Sequence, residues 1–235
     1  AYDNENYVLR DVSFVIEPGQ KVAFVGATGA GKSSILNLIG RYYDIQQGHI
    51  YIDGVDIRNI SKKQLRSAIG QMQQDVFIFE GTVESNIRLY DEDITSEEVR
   101  EAAEYVNASR FIEKLPNGYE ESVSERGSTF SAGERQLLSF ARTLAHKPSI
   151  LVMDEATANI DTETEALIQE ALEKLMKGRT TIMVAHRLST IQHADCIMVM
   201  HKGKIRERGT HQELLAQNGI YKKLYELQIH HEITA

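Results

Sequence analysis

The chain has 235 residues and a formal net charge of −8, and 42% of its residues are hydrophobic. This length is sufficient for one α/β domain with a full hydrophobic core and room for a subdomain. The acidic balance and the scattered lysines and arginines argue against a nucleic-acid-binding surface, which is usually basic, so we expect no nucleic-acid partner.

The single cysteine, Cys196, excludes an intrachain disulfide and a zinc cluster made of cysteines. It begins an apolar run at 196–200, which predicts a buried structural thiol. The sequence shows no signal peptide and no apolar run near the roughly 20 residues of a membrane span. We therefore expect the polypeptide to be soluble by itself.

Strand-like and helix-like segments alternate along the chain, which predicts an α/β fold with a largely parallel sheet. Strands are predicted at 12–16, 22–25, 49–52, 150–153, 181–185, 197–200 and 204–207. Helices are predicted at 34–39, 96–106, 132–145, 163–176, 211–217 and 221–228, and residues 230–235 are expected to form a solvated tail.

A glycine-rich turn connects strand 22–25 to helix 34–39, and it reads Gly26-Ala27-Thr28-Gly29-Ala30-Gly31-Lys32-Ser33. This is the spacing of a complete phosphate-binding P-loop, or Walker A motif, in the strand–turn–helix context that it requires. Backbone N–H groups of the turn and the helix N-terminus can bind phosphate oxygens. Lys32 can reach the β- and γ-phosphates, and the Ser33 hydroxyl can bind Mg²⁺. The sequence therefore predicts a nucleoside-triphosphate site, with Ser34 as its last residue.

Region 75–145 has helical periodicity and few convincing strands. We expect it to be a helical subdomain inserted into a nucleotide-binding core made of 1–74 and 146–235. The predicted fold is a P-loop core with a mixed, largely parallel sheet, this inserted helical subdomain and a small antiparallel portion.

The apolar strand 149–153 ends in Asp154-Glu155. An acid at this position can hold Mg²⁺ through water, which is the Walker B role. The following acid can orient and deprotonate an attacking water as a general base. Asp154 is therefore a candidate metal ligand, and Glu155 is the candidate catalytic base.

The segment Phe130-Ser131-Ala132-Gly133-Glu134 comes shortly before this strand. This segment resembles the LSGGQ signature of ATP-binding cassette (ABC) transporters. Together with the two Walker motifs, it gives a resemblance to this family that extends along essentially the whole chain. It implies the ATP-hydrolysing domain of a multidrug- or lipid-type exporter, with ATP and Mg²⁺ as cofactors. Two such domains pair head to tail, so that Ser131, Gly133 and Glu134 would face the nucleotide of a second domain.

Other positions match further motifs of the family. The resemblance implies that Tyr2 stacks on adenine and that Gln74, in the Q-loop, binds Mg²⁺ or water. It also implies that Asp161 belongs to the D-loop and that His186 hydrogen-bonds to the γ-phosphate and orients Glu155. Residues 124–127 resemble the X-loop of exporters. From the residues alone, Tyr2 can also be a frayed end, Gln74 a surface amide and Asp161 a helix N-cap.

The signature departs from the family pattern at Phe130, Ala132 and Glu134. Ala132 adds a Cβ where backbone approaches phosphate, and Glu134 adds negative charge near a triphosphate. Since Ser131 and Glu134 also form a capping-box pattern, a helix start here needs no functional explanation. The intact Walker motifs beside a weakened signature suggest one half of a heterodimer with unequal ATP sites, and a homodimer that tolerates a variant signature is the alternative.

The family's exporters also need a transmembrane domain, which this sequence lacks. We expect the domain to dock to that missing part at the cytoplasmic face of the membrane, with the apolar run 76–79 as a docking groove or as ordinary core. The resemblance also implies that the first strand of the family's fold is missing from this sequence.

Three other classes of nucleotide-binding protein are alternatives to this interpretation. Soluble ABC ATPases of DNA repair or chromosome organisation carry coiled coils or zinc modules between the Walker motifs, and this chain has neither. A binding-only regulatory domain would not need Glu155 and His186. A GTPase is disfavoured because no Asn-Lys-x-Asp motif is present.

Overall fold

The structure is a computed structural model of the chain, and it describes residues 1, 6–73, 76–89, 91–124, 129–154, 162–185 and 188–234. Strands within these ranges are β1 (Lys21–Val25), β2 (Tyr51–Ile52), β3 (Val55–Asp56), β4 (Ile69–Met72), β5 (Gly81–Thr82), β6 (Ser122–Val123), β7 (Ile150–Asp154), β8 (Thr180–Val184), β9 (Cys196–His201) and β10 (Lys204–Gly209). Helices are α1 (Lys32–Ile39), α2 (Lys62–Ala68), α3 (Val83–Arg88), α4 (Ser96–Tyr105), α5 (Ser109–Ile112), α6 (Ala132–Ala145), α7 (Thr162–Met176), α8 (Leu188–Gln192), α9 (His211–Gln217) and α10 (Ile220–Thr234).

The chain divides into two compact units. The first contains 1–69, 150–156 and 180–235, and the second contains 70–149 and 157–179. The sequence-based boundaries put 157–179 in the core, whereas this division groups it with the helical segment. The domain boundaries at 74/75 and 145/146 therefore stay a prediction.

Five strands of the first unit form one sheet in the order β10-β9-β1-β8-β7. The pairs of β1 with β8, β1 with β9 and β7 with β8 are parallel, and β10 is antiparallel to β9. Small antiparallel pairs form between β2 and β3 and between β5 and β6. This architecture confirms the predicted mixed α/β fold with a largely parallel sheet.

The core of the first unit explains why these strands are almost continuously apolar. Val22, Phe24, Val152, Ile182 and Met198 are all buried within one hydrophobic cluster. Strands covered on both faces read as apolar runs rather than as alternating patterns. The register pairs Val184 with both Phe24 and Asp154, so the carboxyl ends of β1, β8 and β7 lie side by side.

The second unit is built mainly from α3, α4, α6 and α7, with α6 in contact with α3, α4 and α7. Helix α4 begins at a capping box of Thr95 and Glu98 and buries Val99, Ala102 and Ala103. Its Glu98 also forms a 2.6 Å ion pair with Lys147, just beyond α6. The amphipathic pattern of 132–145 thus predicts the helix on which this unit is assembled.

Several predicted elements differ from the structure. Residues 12–16 are not a strand. Val12, Phe14 and Ile16 are partly buried against the core, which explains the alternating pattern, but the segment does not pair with the sheet. Residues 230–234, expected to form a solvated tail, are helical, since α10 continues to Thr234. The sequence analysis did not predict β4. The prediction of a buried structural thiol at Cys196 is confirmed, since Cys196 is a buried free cysteine.

Within the described ranges, no helix is both long enough and apolar enough to cross a membrane.

Candidate nucleotide-binding site

The turn between β1 and α1 depends on glycine at two positions. Gly31 has φ of 102°, in the left-handed region, and a Cβ there would lie 2.7 Å from Leu9 Cδ2. A Cβ on Gly26 would overlap the backbone oxygen of Met200. Glycine therefore allows both the conformation and the close packing of this turn. Gly203, in the turn just before β10, also supports the glycine turn: its N–H donates to the oxygen of Ala30 at 3.1 Å.

The N-terminus of α1 is open to a ligand. Its N-cap is Gly31, and no side chain of a described residue caps the helix. The preceding Ala27, Thr28 and Gly29 are exposed. The first N–H groups of a helix have no intrahelical acceptor, and with the helix dipole they favour an anion. This end of α1 therefore has the chemistry of a phosphate site.

Lys32 lies inside this turn and is only 7% exposed. Its Nζ donates to the oxygen of Gly26 at 2.7 Å and to that of Ala27 at 3.1 Å. Burial lowers the pKa of the Lys32 ammonium, and the Asp154 carboxylate partly opposes this effect. A buried cation bonded to neutral oxygens is well prepared to bind phosphate, which would supply compensating negative charge.

The Walker B carboxylate is joined directly to α1. Ser33 Oγ donates to Asp154 Oδ2 at 2.8 Å. The bond forms because Asp154 ends β7 at the same edge of the sheet where β1 leads into α1. A hydroxyl and one carboxylate beside a phosphate site fit Mg²⁺, which is usually held by few protein ligands together with substrate phosphates and water.

The signature turn belongs to the second unit and has a different construction. Ser131 caps α6 in a capping box: its Oγ accepts from the Glu134 N–H at 3.1 Å, and Glu134 Oε2 accepts from the Ser131 N–H at 2.8 Å. Phe130 is buried against Phe111, with ring centroids 5.8 Å apart. Ala132 is exposed, and Gly133 is buried. The predicted capping box is therefore present.

Five predicted site residues lie outside the described ranges. They are Tyr2, Gln74, Glu155, Asp161 and His186. Among the predicted residues that the structure describes, Lys32, Ser33 and Asp154 come together around the glycine turn. Ser131, Gly133 and Glu134 form a separate group at the start of α6.

The sequence did not reveal a polar cluster beneath Phe77 and Phe79. Both aromatic side chains are exposed, at 45% and 40%, and their rings meet edge to face. Asn86, which is 1% exposed, accepts from the Phe79 N–H and donates to its oxygen, both at 2.9 Å. Arg142 donates to the oxygens of Phe77 at 3.0 Å and Asn86 at 2.8 Å. The only signal for this cluster in the sequence was a polar residue at an otherwise apolar position of each of two helices, Asn86 in α3 and Arg142 in α6.

Arg142 is mostly buried, and its hydrogen bonds to described residues all go to neutral oxygens. Burial lowers the pKa of Arg142 to about 10. Its guanidinium also lies over the Phe79 ring, 5.8 Å from the centroid. Arg142 and Asn86 therefore fix the backbone of the exposed aromatic pair (Phe77 and Phe79).

The site combines a largely parallel sheet with a glycine turn that leads into a helix without a cap from any described side chain. It also contains a buried lysine and a strand-end aspartate bonded to the helix serine. Together these features define a P-loop nucleotide-binding domain. A profile described as ABC transporter matches residues 9–158. The chain belongs to the ABC transporter family. Its domain is of the ATP-binding type, in a family of ATPases.

Similar proteins support this assignment. The ABC transporter ATP-binding protein exp8 of Streptococcus pneumoniae is 54% identical over 97% of this chain, which covers 39% of that protein. A Bacillus subtilis protein, YheH, named as a multidrug resistance ABC transporter ATP-binding/permease protein, is also 54% identical over 97% of the chain, which covers 34% of it. The structure of a bacterial Atm1-family ABC exporter with ATP bound has a TM-score of 0.90 and 41% identity, covering 97% of this chain and 40% of that one. The chain thus spans two fifths or less of these proteins.

Proposed function

We propose that this domain binds Mg-ATP at the glycine turn and hydrolyses it when a second nucleotide-binding domain closes over it, and that this cycle drives an exporter. The observation that carries the proposal is the bond between Ser33 Oγ and Asp154 Oδ2 at the start of α1, which no described side chain caps, beside buried Lys32. These groups supply the cation, the N–H donors and the metal ligands that phosphoryl transfer requires.

In this mechanism the chain acts mainly by positioning and charge stabilisation. Lys32 and the N–H groups of the turn neutralise charge on the β- and γ-phosphates. Ser33, Asp154 and Gln74 would hold Mg²⁺, which spreads the charge of the transferred phosphoryl group. Glu155 accepts a proton from the attacking water.

The remaining motif residues complete the proposed site. His186 follows the end of β8, a strand whose register places its carboxyl end between those of β1 and β7. We assign it to the γ-phosphate and to the orientation of Glu155. Tyr2 would stack on adenine, and Asp161 would contribute at the interface with the second domain.

We propose that the second domain is a sibling chain with an unaltered signature. The support is the contrast within this chain between complete Walker motifs and a signature changed at Ala132 and Glu134. In the closed pair, the start of α6 faces the partner's ATP, and the Glu134 carboxylate next to the Ser131 N–H opposes the γ-phosphate. The domain alone should therefore hydrolyse ATP slowly.

The test repairs the signature within this chain. In Ala132→Gly/Glu134→Gln, phosphate release should rise and should depend more than linearly on protein concentration, because two copies can now complete each other's sites. A wild-type chain with rapid, concentration-dependent hydrolysis that the repair leaves unchanged would instead support a homodimer.

The catalytic assignment is tested in the repaired chain. Glu155→Gln should lower phosphate release by about 10²- to 10⁴-fold with little change in ATP affinity. Chelation of Mg²⁺ by EDTA should stop release as well. The control is Glu173→Gln, the same change at an exposed position of α7, and it should have no effect. Equal loss in both variants, or loss of ATP binding in Glu155→Gln, would contradict the role of Glu155.

We further propose that the exposed aromatic pair docks to a transmembrane part at the cytoplasmic face of the membrane. The support is its exposure on a backbone fixed by Asn86 and Arg142, together with the ATP-binding/permease names of relatives. In the complete transporter, Phe77→Ala/Phe79→Ala should lower transport while ATP hydrolysis continues. Leu227→Ala, at an exposed position of α10, is the control, and an unchanged transport rate in the aromatic variant would refute the docking role.

A further inference from the structure

Gly133 occupies a position that its backbone does not require to be glycine. It is in the first turn of α6, and its φ lies outside the left-handed region. Glycine weakens a helix compared with alanine, because it loses more conformational freedom on folding. The explanation must therefore come from what lies beside Gly133.

The neighbour is helix α7. A Cβ built on Gly133 would overlap the Cγ2 methyl group of Thr164, and it would lie 3.4 Å from Thr164 Cβ and 3.5 Å from Ile168 Cδ1. Thr164 is β-branched and lies within a helix, so its methyl group has few alternative positions. The absence of a side chain at Gly133 is what allows α6 to approach α7 this closely.

We propose that Thr164 is a positioning residue for the signature turn, since its methyl group sets the depth at which the start of α6 rests on α7. The same contact fixes the direction of the Ser131 cap and of the N–H groups that follow it. This inference rests on the proposed function, in which the turn contacts the ATP of a second domain.

The position of Thr164 in the chain gives the contact a second consequence. Helix α7 begins directly after Asp161, at the end of the segment that contains the proposed base Glu155. A change in the contact of Gly133 with Thr164 would therefore act on the signature turn and on the helix attached to the catalytic segment. A displacement of about 1 Å in a catalytic group can lower the reaction rate about a hundredfold. A small change in this contact can therefore have a large effect on the rate of ATP hydrolysis.

The experiment compares a variant that introduces a steric clash with a double variant that removes it. Gly133→Ala introduces the overlapping methyl group, and Gly133→Ala/Thr164→Ser removes the methyl group that it meets while keeping the hydroxyl. The matched control, Gly133→Ala/Thr143→Ser, removes the same methyl group from a buried threonine elsewhere on α6.

Two measurements are made. In the repaired background (Ala132→Gly/Glu134→Gln), concentration-dependent phosphate release should fall by about ten- to a hundredfold in Gly133→Ala. It should return to within a few-fold in the Thr164→Ser double variant but not in the Thr143→Ser control. ATP affinity of the dilute chain should be the same in all variants, because Lys32 and Ser33 are unchanged.

The second measurement does not depend on activity. In the otherwise wild-type chain, the NMR amide signals of Ser131 and Glu134 should shift in Gly133→Ala and return in the Thr164→Ser double variant. If these signals do not move, or if Thr143→Ser restores them equally, the inference is wrong. If they follow the expected pattern but the repaired chain shows no ATP-dependent turnover, the proposed function fails while the positioning role of Thr164 stands.

Discussion

The N-termini of α1 and α6 satisfy their backbone N–H groups in opposite ways. At α1 the N-cap is Gly31 in the left-handed conformation, without a capping side chain from the described residues. At α6 Ser131 and Glu134 cap the helix reciprocally. The first helix start leaves donors for a ligand, whereas the second provides its own acceptors and a negative charge. The comparison teaches that a strong capping motif and a strong anion site are competing uses of the same backbone groups.

Of the changes that test this comparison of the two helix starts, removing the cation at α1 has the largest expected effect. Lys32→Ala should lower ATP hydrolysis by about a hundredfold or more, because the phosphates lose a preorganised positive charge. ATP affinity, measured with a fluorescent analogue, should fall as well. The control Lys63→Ala removes an exposed lysine on α2 and should change neither quantity. Normal ATP binding by Lys32→Ala would remove the distinction between the two helix starts.

A smaller effect is expected from neutralising the cap of α6. Glu134→Gln keeps an acceptor for the Ser131 N–H but removes the charge that opposes the partner's γ-phosphate. ATP-dependent hydrolysis at high protein concentration should rise several-fold, while the free energy of unfolding falls by about 0.3–1 kcal/mol, since a carboxylate no longer complements the helix dipole. The two readouts should move in opposite directions, and parallel changes would show that the capping charge does not compete with a ligand.

The smallest expected effect is a pH dependence of stability, and it compares one histidine from each unit. Burial lowers the pKa of both His146, after α6, and His211, at the start of α9, and Asp91 partly opposes the effect at His146. The unfolded chain therefore binds protons more readily than the folded chain below about pH 6.5. Stability should fall as the pH drops through this window.

Urea unfolding of His146→Gln and His211→Gln at pH 5.5 and pH 7.5 checks this expectation. Each variant should lose part of the pH dependence, and His146→Gln should lose more because His146 is the more deeply buried. A pH dependence that both substitutions leave intact would assign the acid sensitivity to other groups.

Local signals explain how much could be predicted. The predicted helix 132–145 has the observed bounds because its amphipathic face and its capping box agree. The strand prediction for 12–16 was wrong. The apolar residues do alternate with polar ones, but they pack against the core and the segment does not pair with the sheet. Strand β4 was missed because Ile69–Met72 is short and contains glycine, which gives only a weak strand pattern.

By itself, the sequence determined the α/β class, the glycine turn, the Walker carboxylate and the family, because each depends on residues close together in the chain or in fixed order. Only the tertiary structure decided that Ser33 bonds to Asp154, that Arg142 and Asn86 support the exposed aromatic pair, and that Gly133 makes room for Thr164. These contacts join residues distant in the chain, and their existence depends on packing distances of a few tenths of an ångström, which no local pattern encodes.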